Sequence, residues 1–144
     1  MVQKNKTKFN FIKFLTLNGN KETSEKIFLE LIKIANKNLK KDFYSLTKLV
    51  IKNRISLLSL LKIKKRKHFI ILPFFLKKSN RTVNSIKSII KASRTRKNES
   101  IEMALYKEYS DAINYNNKPN KKNSQRETHV LASINKNFAT YRWF

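Results

Sequence analysis

The sequence predicts a mainly α-helical single domain of about six helices, with a protruding β-hairpin arm between the third and fourth helices. Apolar residues recur every three to four positions in six segments, which is the period of amphipathic helices. Two β-prone apolar runs flank one cationic stretch, which indicates a hairpin. The length of 144 residues fits one domain. We expect a basic N-terminal tail at residues 1–8, a helical domain over residues 9–144, and the arm at about residues 56–76.

The first three helices follow from apolar spacing and cap residues. Segment 9–17 is expected to form a short helix that ends before Gly19, since glycine readily adopts a left-handed cap. Segment 22–36 predicts a second helix with a broad apolar face. Asp42 is expected to cap a third helix, in which Phe43, Leu46 and Val50 recur at helical spacing.

The arm is predicted from the apolar runs 57–63 and 69–76, which lie on either side of the cationic residues 64–68. Pro73 in the second run favours an edge position, because proline has no N–H to give to an interior ladder. Two helices around a charged turn are the alternative. Arg66 and Lys67 stand at the tip, where a tight turn of two non-glycine residues is costly, so a wider or disordered tip is expected.

Three further helices are predicted after the arm. Their periodic apolar residues are Val83, Ile86 and Ile90; then Ile101, Leu105, Tyr109 and Ala112; then Val130, Ile134, Phe138 and Tyr141. The polar segment 116–124 should separate the last two helices as a loop. The positions that their helical spacing places in the core are Ile27, Leu31, Ile86, Ile90, Leu105 and Phe138.

The charge of the chain points to an anionic partner. Against 33 Lys and Arg stand only 9 Asp and Glu, which gives a formal net charge of +24. Repulsion among these cations opposes a compact fold, so a partner that neutralises them is expected. Nucleic acid is the strongest candidate for this partner. No segment approaches the roughly 18 consecutive apolar residues of a membrane-spanning helix.

An enzyme is not expected. The chain has no Cys and one glycine, which excludes a thiolate metal site, a P-loop and a dinucleotide-binding fingerprint. The acidic residues, including Glu108 and Asp111, are expected mostly on helix surfaces, and His129 is expected to be a structural hydrogen-bonding group. We therefore predict no catalytic residue, no cofactor and no metal site.

Basic clusters are the candidate binding residues. At the end of the fourth helix, the helix dipole alone would stabilise cations. Few acids are available to pair with Arg94 and Arg96, however, so we expect these two residues to contact phosphates. Lys77, Lys78 and Arg81 at the start of that helix oppose its dipole, which makes an external anion more necessary. C-terminal aromatic residues could stack on RNA or pack on the domain, and both interpretations stay open.

Residues 135–143, NKNFATYRW, resemble the ending NKAFAHYRW that is typical of the small-subunit ribosomal protein seven family of bacterial type. Residues 108–112, EYSDA, and 92–96, ASRTR, are similar to the family's ELSDA and AARxR, with matching separation. Residues 18–21 and 24–27 are similar to its DGKK turn and AExI helix start. The family usually has Gly-Gly where Arg66 and Lys67 stand here.

The resemblance implies that the helical body binds the 3′ major domain of small-subunit rRNA and organises the subunit head. It also implies that the arm and the last helix lie by exit-site tRNA and mRNA, with head and platform ribosomal proteins as neighbours. The residues expected to bind rRNA are Lys4, Lys6, Lys8, Lys21, Lys77, Lys78, Arg81, Lys91, Arg94, Arg96, Lys97, Lys121 and Lys122. Those expected near tRNA or mRNA are Lys62, Lys64, Lys65, Arg66, Lys67, His68, Tyr141, Arg142 and Trp143.

The composition also bears on localisation. Abundant Asn, Lys, Ile and Phe are typical of an A/T-biased genome, and no Arg-rich import sequence is evident. We expect a mitochondrial, organelle-encoded protein, with a plastid as the second choice. The rival functions are a DNA-binding module of helix-turn-helix type and a membrane-surface protein with cationic amphipathic helices.

Overall fold

A computed structural model describes residues 2–39, 42–66, 68–96, 99–114 and 124–140 of the chain. In chain order the elements are α1 Val2–Leu15, α2 Lys21–Leu39, α3 Phe43–Arg54, β1 Leu58–Lys65, β2 His68–Phe75, α4 Lys78–Thr95, α5 Ile101–Ile113 and α6 Ser124–Ile134, followed by a 3₁₀ turn at Lys136–Phe138. The two strands form one antiparallel sheet. The predicted fold class, mainly helical with a hairpin between the third and fourth helices, is confirmed.

The core lies between α1, α2, α3, α4 and α5. Four aromatic rings from different helices meet in it, and the centroids of Phe11 and Phe28, Phe28 and Phe43, and Phe43 and Tyr109 lie 5.8, 5.6 and 5.8 Å apart. Ring pairs at such separations add about 0.5–1.5 kcal/mol each beyond the burial of their area. Full burial also raises the pKa of the Tyr109 phenol well above its ordinary value. Aromatic packing therefore joins the three consecutive helices α1, α2 and α3 to α5, which lies much later in the sequence.

The predicted core residues are confirmed for Leu31, Ile86, Ile90 and Leu105, which are fully or almost fully buried. Ile27 is partly buried and packs against the core, while its neighbour Phe28 takes the fully buried position. The prediction for Phe138 is wrong, because this side chain is 39% exposed in the 3₁₀ turn.

Helix α1 is longer at its start and shorter at its end than predicted. It begins at Val2, so that most of the expected N-terminal tail is helical. After Leu15 the chain turns through Asn18 and Gly19, whose φ angles are 51° and 77°. The prediction of a left-handed glycine at this turn is therefore confirmed.

Asp42 occupies the N-cap position of α3, as predicted. Its carboxylate makes no capping hydrogen bond, although its backbone carbonyl accepts one from the Ser45 hydroxyl at 2.7 Å. Helix α3 therefore begins after the predicted N-cap residue. The hydrogen bond there is accepted by the backbone carbonyl of Asp42, and not by the carboxylate that was expected to form the cap.

The arm, defined as Leu58–Phe75, is a regular hairpin. Its register pairs Leu58 with Phe75 and Lys65 with His68, which leaves only Arg66 and Lys67 between the strands. Arg66 has a φ of 52°, the left-handed conformation that tight hairpin turns demand. Of the two expected tips, the wider one is thus wrong, and Arg66 bears the conformational cost that glycine would avoid, while Lys67 lies outside the described residues.

Helix α6 ends at Ile134, before the periodic Phe138. It packs against β1, and the following 3₁₀ turn packs against β2. Ala132 is buried, whereas Val130 and Ile134 are exposed. The last helix therefore rests on the arm instead of adding an apolar face to the five-helix core.

A buried ion network joins the ends of two helices to α5. Arg54, the last residue of α3, places its Nη2 atom 2.7 Å from Oε2 of Glu108. Arg96, directly after α4, donates from Nε to the other oxygen of Glu108 at 2.9 Å and from Nη2 to Asp111 at 2.7 Å. Glu108 is only 7% exposed. It thus lies in the interior, and the prediction of a surface position for Glu108 is wrong.

Few acids were expected to be available to pair with Arg96, but this arginine has two acidic partners. Two carboxylates of α5 hold its guanidinium in the fold. Since α3 ends at Arg54 immediately before the chain enters the arm, the same network also fixes one side of the arm's base. Removing Glu108 would leave the largely buried Arg54 guanidinium without its ion-pair partner, whereas Arg96 would keep Asp111.

We expect Glu108→Gln to lower the free energy of unfolding by about 3 kcal/mol, because removing one partner of a buried ion pair costs on the order of 3–5 kcal/mol and Arg96 keeps Asp111. Urea denaturation followed by circular dichroism measures this change. Glu30→Gln, the same substitution at an exposed position of α2, is the matched control and should change stability by less than about 0.5 kcal/mol. Equal stability of the two variants would show that the network contributes nothing to the fold.

Candidate nucleic-acid interface

The arm presents cations on both of its faces. The antiparallel register places Lys62 and Lys64 on one face and Lys65 on the other, opposite His68. Lys62, Lys64, Lys65, Arg66 and His68 are all exposed. Residues 57–76 contain no Asp or Glu, so the arm carries no charge of its own that could neutralise them. The arm is therefore suited to meet an external polyanion.

Hydrogen bonds fix the chain on both sides of the arm. Asn53 of α3 donates from Nδ2 to the Ala112 carbonyl of α5 at 2.9 Å. On the other side, Arg81 of α4 donates from Nε to the Leu76 carbonyl at 2.8 Å. Leu76 in turn donates its N–H to the Leu57 carbonyl at 3.0 Å. Arg81 therefore has a structural role at this base, in addition to the predicted RNA contact.

Lys77 and Lys78 are exposed at the start of α4, where the first turn contains no acid. Like charges at the positive end of a helix dipole are unfavourable, so the fold gains nothing from these two lysines. Their ammonium groups make no ion pair with the described part of the chain. Lys77 and Lys78 therefore stay predicted contacts for an external anion, which would offset their repulsion by the helix dipole.

Arg94 and Lys91 differ in their surroundings near the end of α4. Lys91 is exposed on the helix. Arg94 reaches across to the end of α1, where its Nη2 donates to the carbonyls of Phe14 and Leu15 at 3.1 and 3.2 Å. These carbonyls belong to the last turn of α1, which lacks intrahelical partners. Arg94 thus caps α1 and still has an exposed side chain with donors to spare.

The lysines of the first two helices lie at a groove between them. Lys8 and Lys13 of α1 and Lys21 of α2 line it together with apolar residues. Lys21 forms a solvent-exposed pair with Glu25 at 3.6 Å. Lys4 and Lys6 lie in α1, but their side chains are outside the described part of the structure.

The remaining residues of the predicted sites lie outside the described residues. They are Lys67, Lys97, Lys121, Lys122, Tyr141, Arg142 and Trp143. Their contacts with RNA therefore stay predictions from the sequence.

Lys13, Phe9 and Lys87 were not among the predicted contact residues. Phe9 and Lys13 are one helical turn apart, a spacing that already places both on one face of the helix predicted over residues 9–17. Lys87 of α4 lies over the ring of Phe14, with Nζ 4.9 Å from its centroid. No local sequence signal indicates this contact, since it joins helices far apart in the chain.

Other kinds of site are not found in the described parts of the chain. There, no three His, Cys, Asp or Glu side chains come together in a way that could hold a metal ion. His129 is exposed on α6 and makes no structural hydrogen bond with the described residues, contrary to expectation. Among the described helices, none combines the length and the apolar character that crossing a membrane requires.

The comparisons with known proteins agree with one another. Residues 2–136 match the family model described as ribosomal protein S7p/S5e. The small ribosomal subunit protein uS7 of Wigglesworthia glossinidia brevipalpis is 32% identical over 136 residues, which cover 92% of this chain and 84% of that protein. Helices, arm and basic surfaces all fall within the matched range, and the chain therefore belongs to the ribosomal protein S7 family.

Proposed function

We propose that the chain is a structural component of the small subunit of a mitochondrial ribosome, where it binds the 3′ major domain of the rRNA and organises the head. The observation that carries this proposal is the distribution of charge in a member of a ribosomal protein family. The helical body has exposed cations at α1, α2 and α4, and the arm that is joined to it contains no acidic residue. Members of this family are structural proteins rather than enzymes.

The helical body would bind rRNA mainly through phosphates. Lys8, Lys21, Lys77, Lys78 and Lys91 are exposed, and each phosphate that they neutralise releases counterions. Lysine surfaces suit this task because the major groove of A-form RNA is too narrow for side chains to read bases. The RNA would thus be recognised by the shape of its backbone, with Lys4, Lys6, Lys97, Lys121 and Lys122 as further proposed contacts.

The arm would act at a different place from the body. It extends its cations away from the helical core while both sides of its base are fixed to α3, α4 and α5. We infer that Lys62, Lys64, Lys65, Arg66, Lys67 and His68, with Tyr141, Arg142 and Trp143, line the path of exit-site tRNA and mRNA. Head and platform ribosomal proteins would be its protein neighbours.

The mitochondrial assignment rests on composition. Asn, Lys, Ile and Phe are abundant, as in products of A/T-biased genomes, and a plastid is the second choice. The DNA-binding alternative is not favoured, since it accounts neither for the hairpin nor for the family match over residues 2–136.

We expect the purified chain to bind a transcript of the 3′ major domain with a steep salt dependence. With Z phosphates neutralised, log K should fall against log salt with a slope of about −0.9Z for duplex-like sites. Fluorescence anisotropy at four or more salt concentrations measures this slope, and a transcript of the 5′ domain serves as the control. A slope between zero and about −2 would contradict contacts with several phosphates.

Replacing Lys64, Lys65, Arg66 and Lys67 with Gln should leave rRNA binding and head assembly largely intact, since the proposed rRNA contacts of the body lie outside these four residues. Reconstituted subunits with this variant should contain normal amounts of the chain but release exit-site tRNA faster. The matched control replaces four exposed lysines outside the proposed contacts, Lys26, Lys33, Lys37 and Lys48, with Gln. If the arm variant fails to assemble a head while the control assembles one, the arm is an rRNA anchor instead.

A further inference from the structure

One surface of the body combines an exposed aromatic ring with cations on each side. It is the groove between α1 and α2, a cleft of about 550 Å³ whose walls include Phe9, Ile12, Lys8 and Lys13 of α1 and Lys21 and Glu25 of α2. Its volume lies in the range of about 300–1,000 Å³ that small ligands occupy. The groove is therefore large enough to take a single nucleotide.

Phe9 is the exposed ring of the groove. It is 65% exposed, whereas Phe11 of the same helix is 1% exposed in the core. An isolated exposed phenylalanine is ordinary on a protein surface. Phe9 differs because Ile12 lies one turn along and forms an apolar floor beside it, so that a flat ligand could cover ring and floor together.

The charges around the ring favour an anionic ligand. Lys8 and Lys13 form no ion pair with the described residues. Lys21 and Glu25 pair at 3.6 Å, but both are well exposed, so this pair contributes little and can open at small cost. Among the described side chains of the groove, three ammonium groups thus face one carboxylate. This excess of positive charge favours a phosphate group over a protein segment that has few acidic residues.

The groove offers stacking and charge but few free hydrogen-bonding groups for reading a base. Among the described residues that line it, the only uncharged polar side chain is that of Thr16, whose hydroxyl donates to the Ile12 carbonyl at 2.7 Å and lies 3.1 Å from the Ser24 hydroxyl. Stacking on an aromatic ring is tolerant of sequence, because every base has a π-face. A ligand held in this way would be an unpaired nucleotide of any base.

We propose that the groove between α1 and α2 holds one unpaired nucleotide of the rRNA, with its base on Phe9 and its flanking phosphates on Lys8, Lys13 and Lys21. This inference rests on the proposed rRNA binding and names a contact within it. The base leaves its own helix to stack on the protein, as single-stranded loops and bulges do in sequence-tolerant RNA recognition. Stacking then adds an affinity that salt does not screen.

The test compares full-length variants in their affinity for the 3′ major domain transcript at several salt concentrations. We expect Phe9→Ala to weaken binding about 5- to 150-fold, the equivalent of about 1–3 kcal/mol for one stacked base, with an unchanged salt slope. Phe9→Tyr should bind like the natural chain, because the ring is kept. Lys13→Ala should instead reduce the steepness of the slope by about one.

Leu17→Ala is the matched control, since Leu17 is similarly exposed at 60% but does not line the groove. Circular-dichroism melts of all variants check that each is folded. Ultraviolet crosslinking followed by mass spectrometry should attach a nucleotide to the peptide that contains Phe9.

Two different failures can be told apart. If the natural chain binds with a steep slope and Phe9→Ala binds as tightly as Leu17→Ala, the stacked nucleotide is refuted while the proposed rRNA binding stands. If the natural chain itself shows no salt-dependent binding to the transcript, the proposed function fails. Loss of a neighbouring protein from subunits that carry Phe9→Ala, with unchanged rRNA affinity, would assign the groove to a protein and overturn the inference.

Discussion

The Glu108 carboxylate meets two guanidinium groups in the interior, and the arrangement of the body and the arm depends on this contact. It accepts from Arg54 at the end of α3 and from Arg96 after α4, while Asp111 shares Arg96. Such a contact is costly in desolvation and is maintained only when every charge is paired and hydrogen-bonded. In a chain with 33 basic and 9 acidic residues, two of the few acids are thus placed at one junction of three helices.

The cations of the chain fall into two groups, the arginines and the lysines. Arg54, Arg81, Arg94 and Arg96 each bond to a carboxylate or carbonyl of another element, so arginines largely fasten the fold together. The exposed lysines make few such contacts and remain directed outward. The difference agrees with the chemistry of the two side chains, since the planar guanidinium binds two acceptors in fixed geometry and the ammonium acts as a point charge. Lysines can therefore serve a polyanion without weakening the helices that carry them.

Much of the fold could be predicted from the sequence, because helical period, cap residues and turns are local signals. The left-handed Gly19, the six helices and the arm all follow from such patterns. Glu108 was missed even though it lies one turn after Leu105 on the buried stripe of α5, because charge alone suggested a surface position. The exposure of Phe138 could not be predicted, because Phe138 continues the helical spacing of the apolar residues of α6. Helix α6 packs on the arm and ends at Ile134, so Phe138 lies in the 3₁₀ turn outside the core. Contacts between distant segments, such as Arg94 with the end of α1, have no signal in a single sequence.

The central claim is that this body and arm belong to a small ribosomal subunit and meet its rRNA. The most direct measurement is sedimentation of a tagged chain from organelle lysate, in magnesium that keeps ribosomes intact, followed by ultraviolet crosslinking and sequencing of the bound RNA. We expect the chain in the small-subunit peak, with crosslinks concentrated in the 3′ major domain of the rRNA. A chain found outside that peak, or crosslinked to other RNA or to DNA while the ribosomes remain intact, would contradict the claim.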